Sequence, residues 1–139
     1  MDPHLYELAT VAAARRLRSS YCMLAHGSVL LKLGFDPGQL RAVVEDHHTA
    51  GLDTIEVAVM DLADKVAGDA GSVTQSDIDG LRALGLTDGE ITDVVLAAAA
   101  RCFFSKVLDA LGAEPDERYA DLDPEIRDVL VVGRPIAVT

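Results

Sequence analysis

Residues 5–34 read LYELATVAAARRLRSSYCMLAHGSVLLKLG. Leu5, Leu8 and Ala12, together with Val11 and Ala14, recur at the spacing of one helical face, which predicts a helix over 5–18. Ser19 and Ser20 interrupt that pattern, and either side chain can cap a following helix. The second helix is expected over 20–33 and stops at Gly34, a natural C-terminal cap. A helical hairpin over 5–33 therefore sets the fold class.

Outward from the hairpin the signals stay helical. Asp36-Pro37 opens a third helix, with Asp as N-cap and Pro in the first turn, running through Leu40, Val43 and Val44 to about His48. A fourth covers roughly 53–67, 68–72 is expected as a loop, and a short fifth runs from Thr74 to Gly85. Thr87-Asp88-Gly89-Glu90 forms a capping box that opens the longest helix, 88–111, closed by Gly112. The remainder, 113–139, is an acidic tail with one short helix expected at 124–130. Residues 129–132 are the sole strand candidate. The expectation is an all-α single domain over 1–139, a compact helical bundle of about six helices.

The chain has 139 residues, half of them apolar, so a core forms without disulfides or a structural metal. Its formal charge of −11 repels phosphate backbones and anionic membranes, which argues against a nucleic-acid reader. The apolar run 94–100 is too short to cross a bilayer and is closed by Arg101. No signal peptide precedes the first helical pattern, so a cytoplasmic location with both cysteines reduced is expected. The longest helix is apolar nearly all round from Val94 to Phe104. That points to a central core helix, a subunit interface, or both at once, with both preferred.

The chemistry centres on Ser19-Ser20-Tyr21-Cys22-Met23-Leu24-Ala25-His26. Cys22 falls in the first turn of a helix, where unpaired amides and the helix dipole favour a thiolate. His26, four residues on, shares its face and is placed to take the thiol proton. Glu7, on the preceding helix, can orient His26 if the two helices pack antiparallel. Spacing alone leaves a second reading open, in which Cys22 is a small core residue.

The segment resembles the redox members of the carboxymuconolactone decarboxylase and alkylhydroperoxidase D superfamily, specifically its peroxidase-related branch. Those members carry Glu, eleven residues, Cys, two residues, Cys, three residues, His. Glu7, Ser19, Cys22 and His26 stand in that register, with Ser19 in place of the first cysteine. The run Leu81 to Ile91 is similar to the turn into the family's last long helix. Phe103-Phe104-Ser105-Lys106 with Leu111-Gly112 is similar to that helix's end. The resemblance covers 5 to about 112. Because the chain begins almost on the motif, an N-terminal part of the family's fold is expected to be missing.

The resemblance implies that Cys22 attacks a hydroperoxide and becomes a sulfenic acid, with His26 and Glu7 as proton relay. It implies no cofactor, and a homo-oligomer, trimer or hexamer. Ser19 cannot resolve the sulfenic acid as a disulfide, so an external thiol is the expected reductant. Ser19 is left to cap the helix. Tyr21 stands where some relatives have a second histidine, and its phenol is a poor base at neutral pH. Cys102 is an alternative resolving thiol, although its apolar helix favours an inert buried role. Two other functions stay open: a cofactor-free lyase like the decarboxylase branch, and a non-enzymatic oligomer in which Cys22 only senses oxidation.

Other polar residues carry weaker signals. His47-His48 sits at a helix end, but neighbours on a helix point about a hundred degrees apart, which suits one metal poorly, so no metal is expected. The resemblance leaves room for either at a pocket mouth. Arg15, Arg16 and Arg18 suit the C-terminal end of a helix dipole. Arg101, interrupting an apolar stretch, is expected to pair with a carboxylate.

Overall fold

The computed structural model describes residues 1–138. Seven α-helices follow one another among them: α1 (Pro3–Arg16), α2 (Ser20–Lys32), α3 (Pro37–Asp46), α4 (Thr54–Asp69), α5 (Gln75–Ala83), α6 (Asp88–Ala110) and α7 (Pro124–Leu130). Short 3₁₀ turns at Ala70–Ser72 and Glu117–Asp121 follow α4 and precede α7. None of the described residues forms a strand, and 129–132 is instead the end of α7 and the start of the tail. There Leu130 turns fully into the core. The all-α expectation holds.

Most helix starts are fixed locally. Asp36, Asp53, Thr74, Thr87 and Asp123 each accept an amide of the first turn. Glu56, Asp77 and Glu90 reach back to complete capping boxes. Each box satisfies amides that would otherwise be orphaned at a helix start.

The tight reversal between α1 and α2 is less ordinary. Arg18 takes a left-handed conformation at φ 54°, costly for a residue with a Cβ. It is held because the Ser19 amide reaches back to the Ala14 carbonyl and the Arg18 amide to that of Arg15. The C-terminal tail supports the same corner, where the Gly133 amide donates to Ser20 Oγ at 2.7 Å. A Cβ on Gly133 would collide with the Arg18 carbonyl, so only glycine fits there.

The centre of the bundle is α1, which packs against α2, α4 and α6. Its residues Leu8, Ala9, Val11, Ala12, Ala13 and Ala14 are completely buried. Small alanines let three helices approach one axis closely. This corrects the expectation that the longest helix would be central. One side of α6 packs on α1 and α4 through Val94, Ala97 and Ala98, while Leu96, Phe103 and Leu111 are 60, 73 and 81 % exposed.

The expected loop at 68–72 is also corrected, since α4 continues through Gly68 to Asp69. A Cβ at Gly68 would strike the Arg16 guanidinium. That glycine makes room for a neighbour and does not break its helix. No helix among the described residues is long and apolar enough to cross a membrane.

Candidate active site

The α1–α2 hairpin places Glu7 and His26 side by side. Glu7 sits on the buried side of α1, and its Oε2 lies 2.7 Å from His26 Nδ1. The other imidazole nitrogen, Nε2, lies 2.9 Å from an amino group of Arg101 on α6. A guanidinium only donates, so Nε2 is the acceptor and the ring proton sits on Nδ1, donated to the carboxylate. His26 is thus neutral and fixed in one tautomer by residues from two other helices.

Burial is the main influence on this imidazole and holds its pKa below the ordinary 6.5. The hydrogen bond and charge of Glu7 pull upward, and the charge of Arg101 adds to the depression. An unfolded chain takes up a proton at His26 as pH falls through about 6.5, whereas the folded chain resists until the pH reaches its lower value. His26 therefore costs stability progressively as pH falls below about 6.5, until the folded chain is protonated too, and costs nothing well above 6.5. In urea titrations between about pH 7 and about pH 5, the wild type is expected to lose more stability than His26→Gln. Parallel curves for the two proteins contradict that assignment.

Cys22 occupies the third position of α2, within its first turn, as the sequence predicts. Ser19 is the N-cap: its Oγ accepts from the Cys22 amide at 3.5 Å, and its side chain is fully buried. Cys22 is only 1 % exposed, and its sulfur lies 3.2 Å from Ser105 Oγ on α6. Its hydrogen-bond partner is therefore Ser105. The nitrogen of His26 that would serve it is taken by Arg101. Of the expected relay, the Glu7–His26 half is assembled and the His26–Cys22 step is not.

Tyr21 lies beside the site, its ring edge-on to Phe104 with centroids 6.5 Å apart. Phe104 in turn lies under the Arg101 guanidinium, 5.4 Å from Cζ to the ring centroid. Cys102 faces away toward α4, with its sulfur 4.0 Å from the Ala67 carbonyl.

Arg101 and Ser105 are the two residues sequence reasoning placed wrongly or missed. Arg101 pairs with an imidazole where a carboxylate was expected. Ser105 carried one signal, a lone hydroxyl in an apolar helical run.

The arginines after α1 divide their work. Arg15 donates to the Val43 and Val44 carbonyls near the end of α3 and to His47 Nδ1 at 3.1 Å. Arg16 pairs with Asp64 at 3.9 Å. His47 and His48 do not diverge as an α-helical pair would, because α3 ends at Asp46. Their ring centroids are 4.0 Å apart, and both Nε2 atoms approach Asp61 Oδ1, at 2.7 and 2.9 Å.

Asp46, His47 and His48 bring potential ligand atoms within 4.8 Å of one another. Arg15 weighs against an ion there: its donation to His47 Nδ1 leaves the ring proton on Nε2, which is then donated to Asp61. A metal needs that nitrogen deprotonated.

No protein-family description matches this sequence, and no curated protein does. Solved structures do match. One is described as the alkylhydroperoxidase AhpD core, an uncharacterized peroxidase-related protein from Ralstonia eutropha JMP134. It has a TM-score of 0.79 and 24 % identity over 86 % of this chain. Another is an uncharacterized peroxidase-related protein from Silicibacter sp. TM1040, with a TM-score of 0.81 and 23 % identity over 87 % of this chain. The chain spans 63 % of the length of each. At that identity the likeness speaks for architecture, and it agrees with the motif register on the first two helices: the chain has the alkylhydroperoxidase D-like fold.

Proposed function

We propose that this protein is a thiol-dependent peroxidase-like oxidoreductase that reduces hydroperoxides through Cys22, with His26 and Glu7 as its proton relay. The observation that carries the reading is the 2.7 Å Glu7–His26 pair, half-buried and one helical turn from a cysteine at a helix N-terminus. The thiolate attacks one peroxide oxygen, the O–O bond breaks, and the departing alkoxide leaves as an alcohol with the proton His26 took from the thiol. Cys22 becomes a sulfenic acid. An external thiol then displaces water from it to give a mixed disulfide, and a second thiol frees Cys22. Tyr21 and Ser19 support this centre, one at its aromatic edge and one as cap. The chemistry needs no cofactor or metal. A cytoplasmic setting, rich in low-molecular-weight thiols, suits it.

The chain is proposed to act as a homo-oligomer, a trimer or hexamer. Leu96, Ala100, Phe103 and Val107 recur at heptad spacing along the outer side of α6, all exposed. A seam of that kind is normally covered.

The test is chemical. Purified protein given hydrogen peroxide or an organic hydroperoxide, with a sulfenic-acid trap present, is expected to be labelled at Cys22 well before Cys102. Equal rates at the two cysteines sink the peroxidase reading. A second reading, a cofactor-free lyase, draws on the Arg101–His26 contact and on Cys22 facing Ser105 instead of the imidazole. Cys22→Ser separates the two, since it ends peroxide consumption and spares an acid–base reaction run by His26.

A further inference from the structure

Arg101 belongs to a chain with 23 acidic and 12 basic residues. Among the described residues no carboxylate lies within ion-pair distance of it, or of Arg15 and Arg18, while Arg16, Arg41, Arg82, Arg127 and Arg134 all have one. One of its amino groups is spent on the neutral His26. Its Nε is buried and has no hydrogen-bond partner among the described residues. An N–H withdrawn from water and left unpaired is unfavourable, and a carboxylate binding side-on to the guanidinium would satisfy it.

The surroundings of Arg101 are apolar and aromatic. Phe104 lies against the guanidinium and is 42 % exposed, and the Tyr21 ring lies edge-on to Phe104. One cation on an aromatic shelf fits a molecule with a carboxylate at one end and an apolar body.

The His26 contact gives this arrangement a consequence. Nε2 has one lone pair, and Arg101 occupies it. While it does so, His26 cannot accept the Cys22 proton. We propose that Arg101 is the receptor for the carboxylate of an amphiphilic hydroperoxide, and that its transfer from His26 to that carboxylate frees Nε2 to deprotonate Cys22. The substrate thereby switches on the base that attacks it. This rests on the peroxidase reading for the Cys22 step; the carboxylate receptor stands independently of it. Protons balance, since the one that moves from Cys22 to Nε2 leaves with the alkoxide as alcohol.

Octanoate, with octanamide as its uncharged counterpart, serves as probe. The readouts are the ¹⁵N resonance of His26 Nε2 and the rate at which neutral iodoacetamide alkylates Cys22. Octanoate is expected to shift the Nε2 resonance saturably at millimolar concentration, octanamide to leave it unmoved, Arg101→Met to abolish the response and Arg101→Lys to keep a weaker one. Without any ligand, Arg101→Met is expected to alkylate several-fold faster than wild type at the same pH, because Nε2 is free. If Arg101 merely stabilised the thiolate by its charge, the variant would alkylate more slowly.

An unmoved Nε2 resonance at about 10 mM octanoate, an unchanged response in Arg101→Met, or slower alkylation in that variant overturns the proposal. Matching far-UV circular dichroism checks that the variants are folded. Octanoate binding with Cys22 inert to peroxide would uphold the carboxylate receptor and reject the peroxidase reading. Peroxide-reactive Cys22 with no octanoate response would do the reverse.

Discussion

Ser19→Cys is expected to change the product of peroxide oxidation from a gained oxygen to an internal disulfide. Ser19 caps α2 and Cys22 is its third residue, so the two side chains lie about one turn apart, within the reach of a disulfide. Once Cys22 is a sulfenic acid, the introduced thiol attacks its sulfur and water leaves. That neighbour acts at an effective concentration of about 1 mM or more. Against about 0.1 mM of an external dithiol, the sulfenic acid should therefore be resolved on the order of tenfold faster than in wild type, and the dithiol then reduces the internal disulfide to complete the cycle. The substitution removes a cap worth about 1 kcal/mol, which the fold should survive. Intact-mass measurement after one equivalent of peroxide decides it. An oxygen gained without disulfide formation means that Ser19 is not the reason an external thiol is needed.

Leu130→Ala carries the largest expected effect on stability. Leu130 is completely buried and seats α7 against α2, where its side chain fills the space a Cβ on Gly27 would need, 2.9 Å from Leu130 Cδ2. Truncating such a leucine costs about 2–5 kcal/mol, a large part of the about 5–15 kcal/mol that holds a domain folded. The same change loosens the start of the tail, whose Gly133 amide is bonded to Ser20 at the head of α2. The urea midpoint should fall sharply. A shift equivalent to less than about 0.5 kcal/mol, typical of an exposed site, contradicts the docking of α7.

The helices were legible because their ends are written in local chemistry. Asp36, Asp53, Thr74 and Thr87 announce starts, and Gly34, at φ 110°, announces a stop. Gly68 misleads for a physical reason: glycine also serves where a neighbour needs space, and the sequence does not distinguish the two uses. The rank of the helices was misread for a related reason. Apolar residues on every side of α6 do not distinguish core from exposed seam, whereas the small residues that put α1 at the centre contribute little apolar area each.

In the site, Glu7, Ser19, Cys22 and His26 were readable because short-range spacing places them on two adjoining helices. Arg101 and Ser105 were not, because they arrive from α6, more than seventy residues away, and only packing brings them there. The His47–His48 convergence escaped because a rule for residues inside a helix does not apply one step past its end.

The alanine face of α1 has a further consequence for how this chain tolerates change. At Ala9, Ala12, Ala13 and Ala14 the methyl group is the entire side chain, and each is completely enclosed. A larger residue must push a neighbouring helix aside, and glycine weakens the helix itself. In a library of random variants, this stretch should appear as a block where almost nothing is accepted, while exposed positions of α6 outside its seam, such as Ala99 and Lys106, vary freely. The residues with the least chemistry of their own would then be the hardest to replace.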